Sequence, residues 1–349
     1  MEWRGACKLN SVKDGTSTHI ADRLFHSFKW SEEHYAQICY DALEEAVLIL
    51  KANECEVSIE SIYNQLIKIS DPKLKDDCLF ARKDIQGILS RLRKIMRSDF
   101  GSKLKGVDAL SFCDIRESNK CVYIGLSVLG YAEIARSLGK VILGDISYCA
   151  YKTYREIDPM DTASLKSMGI YIDELSAVIT DEFIEILNKC RGAKMEITFA
   201  FQSPSDIAKH DPELCIQVLE NSANWFVFKQ RIEDGAKIFS EAIGTIESKK
   251  QTIRFEGGEE KDQGSQRMVE ELISHPNIIK NLNIGQCVLL RHYPTRVDLL
   301  NVKYIEPKTL WNNVKYIGNE TKLMNSKEEE HKNKHTEAHQ RGPLGLGGH

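Results

Sequence analysis

No apolar run in this sequence approaches the ~20 residues that a membrane-spanning helix needs. The longest candidates, EEAVLIL and KVILGDISYCAY, are short or interrupted by polar residues. The opening stretch MEWRGACKLNSVKDGTS lacks the apolar core of a signal peptide. The chain therefore reads as soluble and cytosolic, with no membrane insertion of its own. No two of the ten cysteines are spaced as Cys-x-x-Cys, which leaves a zinc site without its usual signature. Several, Cys39 and Cys121 among them, fall inside apolar patterns and read as small buried thiols in a reducing compartment. Excess positive charge is also missing: the net charge is -4 and the pI about 6.2, so nucleic-acid binding would have to rest on a local patch. Internal repeats are absent. So is the phosphate-binding loop Gly-x-x-x-x-Gly-Lys-Ser/Thr. The one Gly-Lys pair, Gly139-Lys140, is followed by Val141, and Ile134 stands where the first glycine belongs. Without that backbone cradle and its lysine, efficient ATP binding by this chain alone is not expected.

What is present is a globular composition, 42% apolar over 349 residues, enough for two or three modest domains. Residues 1–30 have weak periodicity and read as an irregular lead-in. Ser31 suits a helix N-cap, with Glu32 and Glu33 in the first turn and Trp30 stapled onto Tyr35. Tyr35, Ile38, Cys39, Ala42, Ala46 and Leu50 follow helical spacing, as do Ile59, Ile62, Leu66 and Ile69 after Ser58. A third stripe, Ile85, Ile88, Leu89, Leu92, Ile95 and Met96, predicts a helix over 80–98. Residues 31–115 thus read as an all-helical domain. The pattern then alternates: strands at CVYIGL (121–126), GIYID (169–173), MEITFAFQ (195–202) and WFVFKQ (225–230), helices from about 129 and at 180–191, 213–222 and 232–243. Short apolar strands alternating with helices predict an α/β fold with a mostly parallel sheet over 116–312. QCVLLRH and RVDLLNVKYI read as an antiparallel edge. Residues 313–349 read as a disordered polar tail. His331, His335 and His339 there would align on a helix as metal ligands, but suit a solvated tail better.

Asp173 and Glu174 end an apolar strand, and ligands of a parallel sheet bind at the carboxyl ends of its strands. An Asp there can hold the Mg²⁺ of a nucleotide, and a neighbouring Glu can orient the attacking water, the arrangement of a Walker B motif. A solvated strand-to-helix turn uses the same residues. Gln202 ends the next strand on the same edge, where an amide can sense the γ-phosphate or the water, or simply satisfy loop backbone. Arg191, 17 residues after Glu174 and 11 before Gln202, precedes Gly192 at a helix end. It suits an arginine finger offered to a neighbouring subunit. It equally suits a C-terminal cation with Gly192 as a left-handed cap. Between 82 and 106, eight cations face only Asp84 and Asp99, a local net of +6. Arg91, Arg93, Lys94 and Arg97 are the tentative DNA-binding residues of that stripe, which also fits an ordinary solvated face.

Taken together, the order of motifs resembles the C-terminal part of the type IV coupling proteins, the TraD/TraG-like ATPases of conjugation and type IV secretion. The residues that carry it are YIDEL at 171–175, ILNKCRGAKMEITFAFQS at 186–203, VLENSANWFVFKQ at 218–230 and IFSEAIG at 238–244. KCVYIGL with YAEIARSLGKVILGDI, and ADRLFHSFKWSEEHYAQICYDAL, resemble the family upstream, so the likeness runs over about residues 19–306. The resemblance implies a RecA-like motor core with an all-alpha domain before it. It also implies a homo-hexamer at the cytoplasmic face of the inner membrane that links relaxosome DNA to the secretion channel. In it Asp173 and Glu174 are the Walker B pair, Asp173 holding Mg²⁺ through the nucleotide, Arg191 is the trans-acting finger and Gln202 the sensor. Family members place transmembrane helices and a Walker A loop before the all-alpha domain. This chain is expected to be a truncated or deliberately short product, inactive alone, that uses ATP and Mg²⁺ only with the Walker A half.

Two other readings stay open: a non-enzymatic DNA- or partner-binding adaptor derived from such a protein, and a different RecA-like ATPase, of HerA/FtsK type, with a degenerate loop.

Overall fold

Helical spacing of apolar residues builds the first half of the chain. The structure is a computed structural model that describes residues 6–74, 78–106, 108–156, 165–256 and 259–306. Lys8–Lys303 form one compact unit, described below; the termini group into a second, whose described residues 6–7 and 304–306 carry no helix or strand. The polar tail and its three histidines lie outside the described residues.

Five helices come first: α1 (Ser17–His26), α2 (Glu33–Ala52), α3 (Ile59–Lys68), α4 (Gln86–Arg97) and α5 (Phe112–Glu117). Three start with a side-chain cap and its reciprocal bond: Thr16 with His19, Ser58 with Ser61, and Ser111 with Asp114. Each such cap stabilises a helix start by about 1 kcal/mol. On α4, Ile88, Leu89, Leu92 and Ile95 are fully or almost fully buried, the stripe that the spacing predicts. Each such burial is worth roughly 1.5–3 kcal/mol.

The structure corrects several expectations here. The lead-in is not irregular throughout, because α1 buries Ile20, Ala21 and Leu24. Its signal is masked by Arg23, a charged residue on the buried face that pairs with Asp145 at 3.4 Å. Ser31 does not cap α2. The helix begins at Glu33 behind Glu32, and Trp30 stacks on Phe25 at 5.0 Å instead of acting as a staple. The 82–106 stretch is helical only over 86–97, with a single 3-10 turn at Gly101–Lys103.

α6 (Val128–Glu156) is a 29-residue helix broken only at Tyr131, whose φ of -140° is non-helical. The strand expected at 121–126 does not form. That segment is irregular, Cys121 is exposed, and no strand pairs with it among the described residues. An apolar hexapeptide becomes a strand only when a ladder partner takes up its backbone groups. Cys7 and Cys55 are also exposed, against the buried-thiol expectation, whereas Cys39, Cys113, Cys149, Cys215 and Cys287 are buried.

The α/β class holds, and the strands sort into three ladders. β1 (Met168–Ile172) and β2 (Met195–Phe199) pair in parallel, in register from Met168↔Met195 to Ile172↔Phe199, with α7 (Asp181–Lys189) as the crossover. From β2 the chain runs through α8 (Pro204–Ala208) and α9 (Pro212–Glu220) to β3 (Asn224–Val227), then α10 (Glu233–Ile243). β3 pairs antiparallel with β6 (Gln286–His292), which pairs with β7 (Thr295–Asn301). The sheet is therefore less parallel than its strand-helix alternation suggests, and the antiparallel edge is where it was expected. α10 and α11 (Pro276–Lys280) cover one face of this ladder, closing a core of Trp225, Val227, Ala236, Phe239, Ile243, Ile279, Leu282, Val288 and Leu290. β4 (Thr245–Glu256) and β5 (Glu259–Leu272) form a hairpin that no apolar alternation announces, because both strands are rich in charge.

Candidate functional site

The parallel pair places its polar residues by strand geometry. Ile170 points into the core, while Gly169 and Tyr171 face outward, Tyr171 being 81% exposed. The ladder then continues past the strand ends. Ala200 N–H donates to Ile172 O at 2.9 Å, and Leu175 N–H donates to Ala200 O at 2.8 Å. Between these two anchors the chain must fit Asp173 and Glu174, and Glu174 takes the left-handed conformation (φ 57°, ψ 54°) to do so. That conformation costs a non-glycine residue of the order of 1 kcal/mol.

Its side chain is held from both sides. Gln202 Nε2 donates to Glu174 Oε2 at 3.1 Å, and Ser176 Oγ donates to Oε1 at 3.0 Å. One carboxylate thus has both oxygens oriented at the carboxyl ends of two parallel strands. Asp173 beside it is exposed. Gln202 O accepts from Gln230 Nε2 at 3.5 Å, so the segment after β3 reaches the same place. His210 Nε2 lies 3.1 Å from the carbonyl oxygen of Ser176 and backs the Glu174 turn. Sequence reasoning missed Ser176, His210 and Gln230. Gln230 had a usable signal, since it ends its apolar segment in the way Gln202 does.

Arg191 is elsewhere. It sits in the turn before the amino end of β2, while Asp173 and Glu174 follow the carboxyl end of the parallel β1. A five-residue strand separates those ends by roughly 17 Å. Within one chain Arg191 does not share a site with Glu174. Gly192 is not a left-handed cap either. The positive φ of this turn belongs to Lys194 (48°), and Gly192 lies where an added Cβ would come 1.8 Å from the hydroxyl of Tyr154.

Three of the four basic candidates on α4 are engaged inside the molecule. The Arg91 guanidinium lies 4.3 Å from the Trp30 ring centroid and donates to the carbonyls of Gly87 (3.1 Å) and Lys29 (2.6 Å). Arg93 Nε donates to the Tyr63 hydroxyl at 2.9 Å, and Lys94 pairs with Glu133 at 3.3 Å. Arg97 is exposed at the end of the helix.

Asp173 and Glu174 are hard oxygen donors of the kind that take Mg²⁺ together with nucleotide phosphates. The phosphate side has no counterpart at Gly139-Lys140, which lies inside α6, with Gly139 packed so that a Cβ would come 2.3 Å from Val178 Cγ1. Among the described residues no cluster of three or more His, Cys, Asp or Glu could hold a metal by itself. A cavity of about 670 Å³ between α1, α6 and α7, walled by His19, Tyr148, Tyr151 and Tyr154, includes none of the candidate site residues. No helix of the described residues is long and apolar enough to cross a membrane.

These features place a carboxylate–amide pair at the ends of the parallel strands of a mixed α/β fold, and known structures share that fold. The chain superimposes on the bacterial conjugative coupling protein TrwBdeltaN70, unbound monoclinic form, with a TM-score of 0.64 and 13% identity, covering 86% of this chain and 71% of that one. It is similar to the plasmid coupling protein TrwB in complex with the ATP analogue ADPNP, with a TM-score of 0.60 and 12% identity over 87% and 74% of the two chains. For TrwB in complex with ADP and Mg²⁺ the TM-score is 0.58, with 14% identity over 86% and 72%. Residues 167–283 match the family described as the TraM recognition site of TraD and TraG. No characterised protein sequence gives a significant match. The family match covers residues 167–283, about a third of the chain, and the structural likeness is one of fold.

Proposed function

We propose that the chain is the carboxylate-and-sensor portion of a conjugative coupling motor, a DNA-translocating ATPase that links the relaxosome to a type IV secretion channel. The observation that carries this reading is the Glu174 carboxylate, fixed by Gln202 and Ser176 beside the exposed Asp173 at the carboxyl ends of β1 and β2. In that arrangement Asp173 would hold the Mg²⁺ of a bound nucleotide, directly or through water. Glu174 accepts a hydrogen bond from the attacking water and orients it, and Gln202 ties the position of Glu174 to the end of the neighbouring strand. Bound ATP with Mg²⁺ would supply the phosphoryl group and its charge neutralisation. Arg191, at the opposite end of the strands, suits donation to the site of an adjacent subunit in a homo-hexameric ring, because a closed ring brings opposite faces of neighbours together. TrwB structures with nucleotide and Mg²⁺ support the cofactor reading.

The phosphate cradle must come from a Walker A-bearing partner segment, so the chain alone is expected to be inactive. Turnover is to be measured with the chain alone, with a Walker A-bearing coupling-protein fragment alone, and with the two mixed. Hydrolysis confined to the mixture supports the reading, and none in any mixture removes it.

A second reading has its own support. The matched segment, 167–283, is the one described as a TraM recognition site, which favours a non-enzymatic adaptor that binds a relaxosome protein or DNA. Salt-sensitive DNA or partner binding without turnover in any mixture selects it.

A further inference from the structure

Two buried thiols, remote from the carboxylate pair, meet where α5 packs on α6. Cys113, in the first turn of α5, is 5% exposed, and Cys149, on α6, is 2% exposed. Two hydrogen bonds set the register of the helices on either side of them. Phe112 N–H donates to Asp145 Oδ2 at 3.1 Å, and Arg116 Nη1 donates to Thr153 Oγ1 at 3.0 Å. Asp145, Cys149 and Thr153 are four apart in sequence and share one face of α6, as Cys113 and Arg116 share one face of α5. Cys113 therefore lies opposite Cys149, between the two anchors. The thiols hydrogen-bond each other, Cys113 Sγ–H donating to Cys149 Sγ. Asp145 has a short side chain, so its bond to the Phe112 backbone holds α5 close to α6, as a bridge between two sulfurs requires.

Arg116 closes the third side of the pair. Its guanidinium reaches the Cys149 sulfur and also donates to the carbonyls of Lys166 (2.7 Å) and Ala193 (2.6 Å), which precede β1 and β2. The hydrogen bond from Cys113, with the Arg116 charge, holds the Cys149 thiol below the usual thiol range against the effect of burial. The same hydrogen bond, with burial, pushes the Cys113 thiol up. By contrast, burial pushes the thiols of Cys39, Cys190, Cys215 and Cys287 up. A thiolate beside a second thiol is the arrangement of an attacking and a resolving cysteine. Burial excludes a bulky disulfide oxidant and selects one as small as a peroxide.

We propose that Cys113 and Cys149 form a reversible disulfide when the chain meets hydrogen peroxide. The Cys149 thiolate attacks one peroxide oxygen. The O–O bond breaks, Cys149 becomes a sulfenic acid, and the departing hydroxide takes up the proton that Cys149 had released. The Cys113 sulfur then attacks the sulfenic sulfur. The S–S bond forms, the S–O bond breaks, and the hydroxyl group leaves with the Cys113 proton as a second water. The two thiols lose two electrons and two hydrogens in all, and one hydrogen peroxide becomes two waters. The bridge fastens α5 to α6 beside Arg116, whose other bonds hold the entries of both parallel strands. It also removes the thiolate that Arg116 faces. The pair rests on the packing of these helices and is independent of the motor reading.

Peroxide titration of the full chain, followed by peptide mapping under non-reducing conditions, tests the bridge. The exposed thiols are first removed by Cys7→Ser, Cys55→Ser and Cys121→Ser. With hydrogen peroxide, the peptides that hold Cys113 and Cys149 become joined, lighter by two hydrogens, and about tenfold or more abundant over any other cysteine pair. Dithiothreitol separates them again. The same oxidation in urea scatters the pairing, because the helices no longer set the register. Cys113→Ser stops Cys149 at the sulfenic acid, which dimedone labels, whereas Cys149→Ser leaves Cys113 a thiol. Should either variant lose its fold, the map of the parent chain decides by itself. Free thiols at both positions while Cys39 or Cys215 is oxidised overturn the proposal. Sulfinic acid at Cys149 with Cys113 still a thiol overturns it as well, because the two sulfurs then do not meet. A bridge between two copies, seen as a dimer on a non-reducing gel in place of the internal link, also overturns it.

Discussion

The side-chain amide of Gln202 donates to the carboxylate of Glu174 across 3.1 Å, joining the carboxyl ends of β1 and β2. Twenty-eight residues of sequence separate the two. The parallel register, with Ile172 opposite Phe199, brings them together.

In a reconstituted motor, Glu174→Gln keeps the side chain's size and lowers ATP turnover by about 10²-fold or more, the usual worth of a positioned base. Nucleotide binding is retained, as an equilibrium titration shows. Unchanged turnover would remove Glu174 from the water-orienting role. Gln202→Ala lowers turnover less, because Ser176 still holds the other carboxylate oxygen.

Arg91 and Arg97 separate a structural cation from one able to meet DNA. Arg91→Ala removes the Trp30 stacking and two hydrogen bonds and is expected to destabilise the fold by about 1–2 kcal/mol in urea titrations. Arg97→Glu leaves stability within about 0.5 kcal/mol. If α4 meets DNA, it lowers affinity and reduces the salt slope by about one. An unchanged slope would take Arg97 out of any DNA interface.

The buried pair Arg23–Asp145 gives stability a pH dependence. Burial raises the Asp145 carboxyl from 3.8 to about 6, with Asp14 and Asp114 adding to the rise, against the pull of Arg23 and the Phe112 N–H. Below 3.8 both folded and unfolded carboxyls are protonated and the contribution is complete. It declines as pH rises through 3.8 to 6 and is gone above that range. Wild type minus Asp145→Asn stability should therefore rise between pH 7.5 and 5, by roughly 1.4 kcal/mol. A flat difference would mean that Asp145 stays ionised in the fold.

Gly192→Ala places a methyl group against the Tyr154 ring, whose hydroxyl and Cζ lie 1.8 and 2.4 Å from the new Cβ. The expected loss is about 1–3 kcal/mol. Tyr154→Ala in the same chain recovers most of it, whereas two independent losses that simply add would show that the contact is not the cause.

Much of this molecule was legible from residue types and spacing. The stripes of α2, α3 and α4, the helix start at Ser58, and the strand-helix-strand around Asp173–Gln202 are local patterns, and local physics decides them. The missing phosphate loop was legible for the same reason, since a loop of fixed spacing is either written or not. Tertiary structure decided what depends on partners. CVYIGL found no ladder and stayed irregular. Arg23 made α1 look like a lead-in until Asp145 neutralised it. Arg91, Arg93 and Lys94 looked like a free basic stripe until Trp30, Tyr63 and Glu133 took them. Arg191 and Glu174 are near neighbours in sequence, yet a parallel pair sends them to opposite ends. A strand pattern names the residues on an edge. Only pairing, which closes or leaves open the hydrogen bonds of that edge, says which residues meet there.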